Sequence, residues 1–214
     1  YKGAEYNYTI VPDKHTLLLL EPVDEWVNMK DSEGKNILEH YYGDPKKYSF
    51  AFQMNSFISR CERLQEEEKN HLIRHEDTNK SGPIMMERSV YSDYYCFAKN
   101  CFENGSMTEI EYNIYKKWFH WLTDSFSIKS KGYIYIRTDP EICYERVKKR
   151  ARSAEGVIPL EYLTDLHNKH EEWLKSLPEN QVLILDGNKD FENNEDIFNE
   201  YVEKIKEYYA KINN

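Results

Sequence analysis

Four short runs of apolar residues interrupt an otherwise polar chain and predict buried β-strands. Each run is continuous rather than alternating, which is typical of strands that are covered on both faces. The runs are Leu17–Leu20, Ile84–Met86, Tyr133–Ile136 and Val182–Leu185. We therefore expect a mostly parallel sheet.

Between these runs, apolar residues recur at helical spacing and predict long helices. The predicted helices are Tyr48–Glu68, Thr108–Phe126, Asp139–Arg152, Pro159–Leu177 and Asn193–Ile212. Strands that alternate with helices indicate an α/β fold with helices on both faces of the sheet. Only 8 of the 214 residues are glycine, which favours helices joined by short turns.

The overall charge argues against two classes of partner. With 29 basic and 38 acidic residues, the formal net charge is −9. This charge disfavours a general nucleic-acid binder and a protein that binds anionic membranes.

No apolar run approaches the roughly 18 residues that span a bilayer. The four cysteines lack CxxC spacing, so we expect reduced thiols in a cytoplasmic compartment.

Charged residues follow the predicted strands, at the edge where parallel sheets bind ligands. Glu21 follows the first strand, Glu87 and Arg88 follow the second, and Asp186 follows the last. Partial desolvation would raise the pKa of Glu21 and suit a general base, whereas the alternative is a salt bridge that ends the strand. Glu87 and Arg88 would either serve a divalent cation near phosphates or form a structural ion pair.

A basic cluster lies in this acidic chain, with Arg146, Lys148, Lys149, Arg150 and Arg152 inside seven residues. Arg146 and Arg150 are four residues apart, so they share one face of a helix. Several guanidinium groups on one face suit a polyphosphate, which requires multiple charge-assisted contacts. The alternative is a solvated basic surface, which is the usual state of a charge run.

Gln53, Arg60 and Asp93 carry complementary donors and acceptors for the edge of a nucleobase. Phe52 and Phe97 would supply stacking faces. The alternative is a structural role, because buried glutamine and phenylalanine are ordinary in helical cores. Two histidine pairs at helical spacing lack a third ligand in a persuasive pattern, so we expect no zinc site.

Several motifs occur in the order and spacing of the deoxyribonucleoside kinase family. They are segments 21–26, 50–53, 87–93, 158–163 and 186–191, together with the arginines at 146, 150 and 152. The likeness runs from Leu17 nearly to the end of the chain. Over this range the chain resembles deoxycytidine and deoxyguanosine kinases. Segment 97–106 is most similar to the deoxyguanosine kinase branch. The resemblance implies a P-loop-kinase-like parallel sheet flanked by helices.

That resemblance implies transfer of the γ-phosphate of ATP, with Mg²⁺, to the 5′-hydroxyl of a deoxynucleoside. The residues matched to the acceptor and the reaction are Glu21 as general base, Arg88 beside it, Gln53, Arg60 and Asp93 at the nucleobase, Trp26, Phe52 and Phe97 as apolar walls, and Tyr42 and Glu155 at the 3′-hydroxyl. Those matched to the donor are Glu87 for Mg²⁺, Arg146, Arg150 and Arg152 in a lid over the phosphates, and Asp190 and Phe191 near the ATP base.

The resemblance also narrows the acceptor. Members similar to deoxycytidine and deoxyguanosine kinases keep an aspartate at the position of Asp93, whereas the thymidine-accepting branch tends to carry a small residue. We therefore expect a purine deoxynucleoside or deoxycytidine as substrate. The chain departs from the pattern at Tyr94, where arginine usually follows the aspartate. A homodimer is the expected assembly by resemblance.

A glycine-rich phosphate loop, G-x-x-x-x-G-K-[ST], is expected in this family before the segment that begins at Glu21. No Gly-Lys-Ser or Gly-Lys-Thr triplet occurs in the chain. Either the first strand, loop and helix lie upstream of Tyr1, or the protein lacks them. Because the chain does not begin with Met, we expect residues 1–214 to be one kinase-like domain that is incomplete at its N-terminus.

Two rival hypotheses remain. A non-catalytic protein that binds nucleosides or partners could keep a kinase-like fold without a phosphate loop, and a deoxynucleoside but not ATP would then raise its melting temperature. A nucleoside monophosphate kinase shares the architecture and would bind the monophosphate more tightly than the nucleoside. The resemblance leaves the mitochondrial matrix as the alternative compartment.

Overall fold

The computed structural model of the protein describes residues 16–75, 83–126, 128–150 and 158–213, without the side chains of residues 71–75 and 150. The strands are β1 (Leu17–Leu19), β2 (Ile84–Met86), β3 (Tyr133–Arg137) and β4 (Val182–Asp186). The helices in chain order are α1 (Val23–Asn28), α2 (Ile37–Gly43), α3 (Pro45–His75), α4 (Val90–Ser92), α5 (Lys99–Glu103), α6 (Glu109–Ser125), α7 (Pro140–Arg150), α8 (Leu160–Lys175) and α9 (Glu195–Asn213). A π-helical segment (Asp93–Ala98) joins α4 to α5, and a 3₁₀ turn (Glu179–Gln181) precedes β4.

The strands form two parallel pairs. β1 pairs with β2, with Leu19 opposite Met86. β3 pairs with β4, with Arg137 opposite Asp186. The predictions of four strands, parallel pairing and flanking helices are therefore confirmed, and the carboxyl ends of each pair lie at a common edge.

Coverage of the strands is less complete than the apolar runs predicted. α8 packs through Trp173 on Tyr133, while α9 packs through Tyr201 on the buried Leu185. Even so, Ile184 is 55% exposed and Leu18 is 47% exposed. The prediction that both faces are covered is thus wrong for parts of the described strands.

The long helices match their predicted positions within a few residues at most ends. α3 is longer than predicted and begins at Pro45, a residue whose fixed φ and missing N–H suit the first helical position. α6 begins after Thr108, whose hydroxyl accepts the backbone N–H of Glu111 in a reciprocal capping box. None of the described helices combines the length and the apolar composition that crossing a membrane requires.

Four short helices and the π-helical segment were not predicted. α1, α2, α4 and α5 have only three to seven residues, which is too few for apolar periodicity to show. Local capping forms some of them: the side chain of Asn36 accepts the N–H of Glu39 at the start of α2. These short elements matter because they surround the part of α3 that carries the buried Gln53 and Arg60.

The principal core lies between α3, α6 and the short helices. Its fully buried members include Phe57, Cys61 and Tyr115. Phe57 and Cys61 continue the predicted apolar face of α3, but the same helix also buries Gln53 and Arg60. Polar side chains at core positions need partners, because a buried unpaired polar group is costly. Those partners define the candidate site.

Gly187, directly after β4, permits a close approach between two loops. Its N–H donates to the carbonyl of Arg137 at 2.7 Å. A Cβ at this position would lie 2.0 Å from Oγ1 of Thr138 and 3.0 Å from the Arg137 carbonyl oxygen. Real Cβ atoms do not approach that closely, so the ends of β3 and β4 meet only because residue 187 has no side chain.

We predict that Gly187→Ala lowers the free energy of unfolding by about 1–3 kcal/mol, because overpacking forces the two loops apart. Urea denaturation measures this change. Gly43→Ala is the matched control, since its Cβ would lie 3.5 Å from the Lys35 ammonium, an ordinary contact. Equal stability of the two variants would contradict the predicted overpacking.

Candidate active site

Two carboxylates meet where β1 and β2 end. The N–H of Glu87 donates to the carbonyl of Leu19 at 2.7 Å, which continues the β1–β2 pairing by one residue. The N–H of Glu21 in turn donates to Oε2 of Glu87 at 3.2 Å. The prediction that strand-end acids share one edge is confirmed for these two residues, whereas Asp186 ends the other strand pair.

Arg60 of α3 connects this edge to the protein interior. Its Nη2 donates to Oε1 of Glu21 at 3.0 Å, and its Nη1 donates to the carbonyl of Glu87 at 2.9 Å. Its Nε and Nη2 donate to the two carboxylate oxygens of Asp93 at 2.9 and 3.3 Å. Arg60 is 2% exposed, so this arrangement is a buried salt-bridge network.

Asp93, which contacts Arg60, is the first residue of the π-helical segment. A π-helical turn inserts an extra residue into a helix and is frequent at functional sites. Burial raises the pKa of Asp93 and outweighs the opposing effect of Arg60. Burial acts to lower the pKa of Arg60. Asp93 and Glu21 raise this pKa by more than burial lowers it, so the guanidinium stays charged.

Glu21 remains ionised for a different reason. Burial acts to raise the pKa of its carboxyl, but the guanidinium groups of Arg88 and Arg60 together hold that pKa below its ordinary value. The sequence-based expectation of a raised pKa is therefore wrong. Desolvation was foreseen from the apolar run, but the two arginines are brought to the carboxylate by distant parts of the chain.

Arg88 adopts a strained backbone conformation next to Glu21. Its φ is +61°, the left-handed region that residues with a Cβ rarely occupy. Its Nη1 donates to Oε1 of Glu21 at 3.0 Å, and its guanidinium lies 4.6 Å from the centre of the Phe97 ring. Ser89 then caps α4 by accepting the N–H of Ser92. The turn thus directs Arg88 toward Glu21 and starts the next helix.

Aromatic side chains from α1, α2 and α3 pack together next to the buried polar residues of α3. The Phe52 ring stacks on Tyr41 at 4.6 Å and meets Trp26 edge-on at 5.4 Å. Nε2 of Gln53 donates to Sγ of Cys101 at 3.8 Å. Trp26, Phe52 and Gln53 were predicted as site residues, whereas Tyr41 and Cys101 were missed.

The sequence carries a further signal for this site, although it does not identify the two missed residues. Ser49, Gln53, Ser56 and Arg60 recur at helical spacing and are all buried, so a polar stripe runs along α3 beside its apolar one. A polar stripe at core positions predicts an internal polar site. Its facing partners, Tyr41 and Cys101, come from other elements and have no such pattern.

The comparisons with known proteins show the family of the chain. The family model described as deoxynucleoside kinase matches residues 12–210. The chain belongs to the deoxynucleoside kinase family. It is a kinase.

Three relatives illustrate the degree of similarity. The chain is 37% identical to deoxycytidine kinase of Mus musculus, an alignment that covers 99% of this chain and 84% of the relative. It is also 37% identical to deoxycytidine kinase of Homo sapiens, over 90% of this chain and 80% of the relative. Identity to the mitochondrial deoxyguanosine kinase of Xenopus laevis is 32%, over 90% and 79% of the two chains.

Tyr94, where this deoxynucleoside kinase departs from the expected arginine, lies in an aromatic stack. Its ring is nearly parallel to Phe119 at 4.1 Å and to Tyr115 at 6.4 Å. Both partners belong to α6, so Tyr94 fastens the π-helical segment to that helix. An arginine would lose much of this contact, which gives the departure a structural reason.

Other predicted site residues lie apart from this network. The side chain of Arg146 is exposed on α7. Asp190 is exposed and accepts the N–H of Asn193, while the Phe191 ring packs against Tyr201 at 5.9 Å. Tyr42 is half-buried beside Tyr41, with ring centres 5.1 Å apart. The Arg150 side chain, Arg152 and Glu155 lie outside the described residues.

Among the described carboxylates, Glu87 best fits a metal ion that is held mainly by the phosphates of a substrate. It is exposed, and its Oε2 already accepts one backbone N–H. No group of three or more His, Cys, Asp or Glu suited to a metal occurs among the described residues. One carboxylate is compatible with Mg²⁺, which commonly takes one or two protein carboxylates along with phosphates and waters.

We predict that Arg88→Gly is about 1 kcal/mol more stable than Arg88→Ala. Both changes remove the guanidinium, but only alanine retains the Cβ that makes φ of +61° unfavourable. Chemical denaturation of the two variants isolates this strain from the loss of the ion pair. Equal or greater stability of Arg88→Ala would show that the turn is not strained.

Proposed function

We propose that the protein transfers the γ-phosphate of ATP to the 5′-hydroxyl of a deoxyribonucleoside. The observation that carries the proposal is the ionised Glu21 carboxylate, held by two guanidinium groups at the edge where β1 and β2 end. Phosphoryl transfer depends on positioning and on charge stabilisation more than on covalent chemistry of the protein. This edge supplies both.

In this proposal Glu21 accepts the proton of the 5′-hydroxyl. Arg60 and Arg88 both donate to its Oε1, and among the described residues none donates to Oε2. That second oxygen is therefore available to a hydroxyl. Its pKa lies below the ordinary value, so the carboxylate is ionised at neutral pH and can accept a hydrogen bond from the hydroxyl. Because the same shift makes it a weaker base, its contribution depends on its position beside the hydroxyl. Arg88 lies beside it and would orient the same hydroxyl.

The nucleobase would lie along the polar stripe of α3. Gln53, Arg60 and Asp93 offer hydrogen-bonding groups there, and Trp26, Phe52 and Phe97 would form apolar walls. An acceptor carboxylate favours bases with an exocyclic amino group, which adenine, guanine and cytosine carry and thymine lacks. We therefore propose a purine deoxynucleoside or deoxycytidine as substrate. Tyr42 and Glu155 would hold the 3′-hydroxyl.

The phosphate donor would lie beyond the same edge. ATP with Mg²⁺ supplies the transferable phosphoryl group and partly neutralises its charge. Glu87 would hold the metal through its exposed carboxylate. Arg146, Arg150 and Arg152 would contact the phosphates, and the loop with Asp190 and Phe191 would border the adenine.

We further propose a homodimer that forms through one face of α6. Ile110, Ile114, Trp118 and Trp121 are spaced to share a face and are 39–73% exposed. Tryptophans are enriched in interfaces, and a two-fold axis would bring this face against its own copy.

A cytoplasmic location is proposed from the thiols. The described cysteines are all free, and three of the four are buried. The mitochondrial matrix is the alternative, because one relative is named as mitochondrial.

We predict that Glu21→Gln lowers kcat by about 10²–10⁴-fold, the usual contribution of a general base. The amide keeps the shape of the side chain, so a deoxynucleoside should still raise the melting temperature. Steady-state kinetics and thermal melting together check this. The control is Glu25→Gln, because Glu25 is exposed and pairs with Arg63 rather than with the network. Undiminished turnover by Glu21→Gln would rule out the assigned base.

We predict that Trp118→Glu converts the dimer to a monomer, because a two-fold axis places each new carboxylate against a second copy of the same apolar face. Light scattering after size exclusion measures the mass. Met29→Glu is the control, as Met29 is 51% exposed but lies outside α6. A monomeric wild-type protein, or a dimeric Trp118→Glu variant, would contradict this interface.

A further inference from the structure

We infer that Arg60 is a positioning residue for Glu21. Its guanidinium contacts both Asp93, in the proposed nucleobase site, and the proposed catalytic carboxylate of Glu21. The inference rests on the proposed function. It adds a role that nucleobase recognition alone does not require: one guanidinium fixes the group that would remove the proton. Asp93 is the anchor of this guanidinium.

The guanidinium of Arg60 is held by partners from three other segments. Arg60 donates four hydrogen bonds, to Glu21 at 3.0 Å, to the Glu87 carbonyl at 2.9 Å and to both oxygens of Asp93 at 2.9 and 3.3 Å. The planar fork cannot rotate without breaking several of these bonds. Its contact with Glu21 is therefore fixed by the other three.

Arg60 and its partners are also shielded from solvent. The side chains of Arg60 and Asp93 are 2% and 3% exposed, and that of Glu21 is 11% exposed. Arg88 also contacts Oε1 of Glu21, but its side chain is 46% exposed. Arg60 is thus the more buried and more firmly anchored of the two partners of Glu21.

The two roles of Arg60 have different consequences for catalysis. If Arg60 only read the nucleobase, removing it would change KM by a factor that depends on the base. If Arg60 also positions Glu21, its loss misplaces the catalytic carboxylate for every acceptor. Small misplacements of reacting groups cost about 100-fold in rate, so kcat should fall by a common factor.

Arg60→Lys is the appropriate variant, because lysine keeps the positive charge near Asp93 but its single nitrogen cannot reach three separate partners. We expect kcat to fall about 100-fold by the same factor, within about threefold, for each accepted deoxynucleoside. The experiment uses the full-length protein with ATP, Mg²⁺ and each of the four deoxynucleosides. Arg63→Met is the control on the same helix, because Arg63 pairs with Asp24 and Glu25 and should leave kcat within about twofold.

A double variant tests whether Arg60 acts through Glu21. Glu21→Asp shortens the side chain and withdraws the carboxylate from Arg60, so Arg60→Lys should cost little more in that background. Residues that act as a unit are non-additive in this way. Thermal melting with and without deoxynucleoside confirms that each variant is folded and binds.

Each outcome decides the matter. A base-dependent change confined to KM, or fully additive losses in the double variant, would overturn the positioning role while leaving the kinase proposal intact. A wild-type protein that binds deoxynucleosides but phosphorylates none would overturn the proposed function and this inference together. A common loss in kcat that disappears in the Glu21→Asp background supports the inference.

Discussion

The burial of Arg60 is the constraint on which the rest of the site depends. A guanidinium withdrawn from water is strongly destabilising unless charge and hydrogen bonds are restored inside the protein. Asp93, Glu21 and the Glu87 carbonyl together meet that need. Each partner comes from a different part of the chain, so satisfying one buried charge also brings the two strand ends and the π-helical segment to α3.

Backbone features that are individually unfavourable make this convergence possible. The left-handed conformation at Arg88 directs its guanidinium to Glu21, and the π-helical segment begins at Asp93, which pairs with Arg60. Local strain of this kind persists only when the surrounding structure holds it. Here the Ser89 cap and the stacking of Tyr94 on Phe119 supply that support.

Much of the architecture could be predicted from local patterns. Continuous apolar runs marked the four strands, and apolar periodicity marked the five long helices, because both signals lie within a few successive residues. The short helices around the site were missed, since elements of three to seven residues are formed by capping and packing. The motif resemblance selected Glu21, Arg60 and Asp93, but it did not indicate that all three share one buried network.

The sequence by itself determined the family, the order of the elements and the residue types at the strand ends, because these are properties of neighbouring positions. Only the tertiary structure decided the ionisation of Glu21. Its apolar strand favours a raised pKa, but two arginines from distant segments reverse that shift. Electrostatic interactions act through space, and the distances between charges are set by how α3 packs against the strand ends.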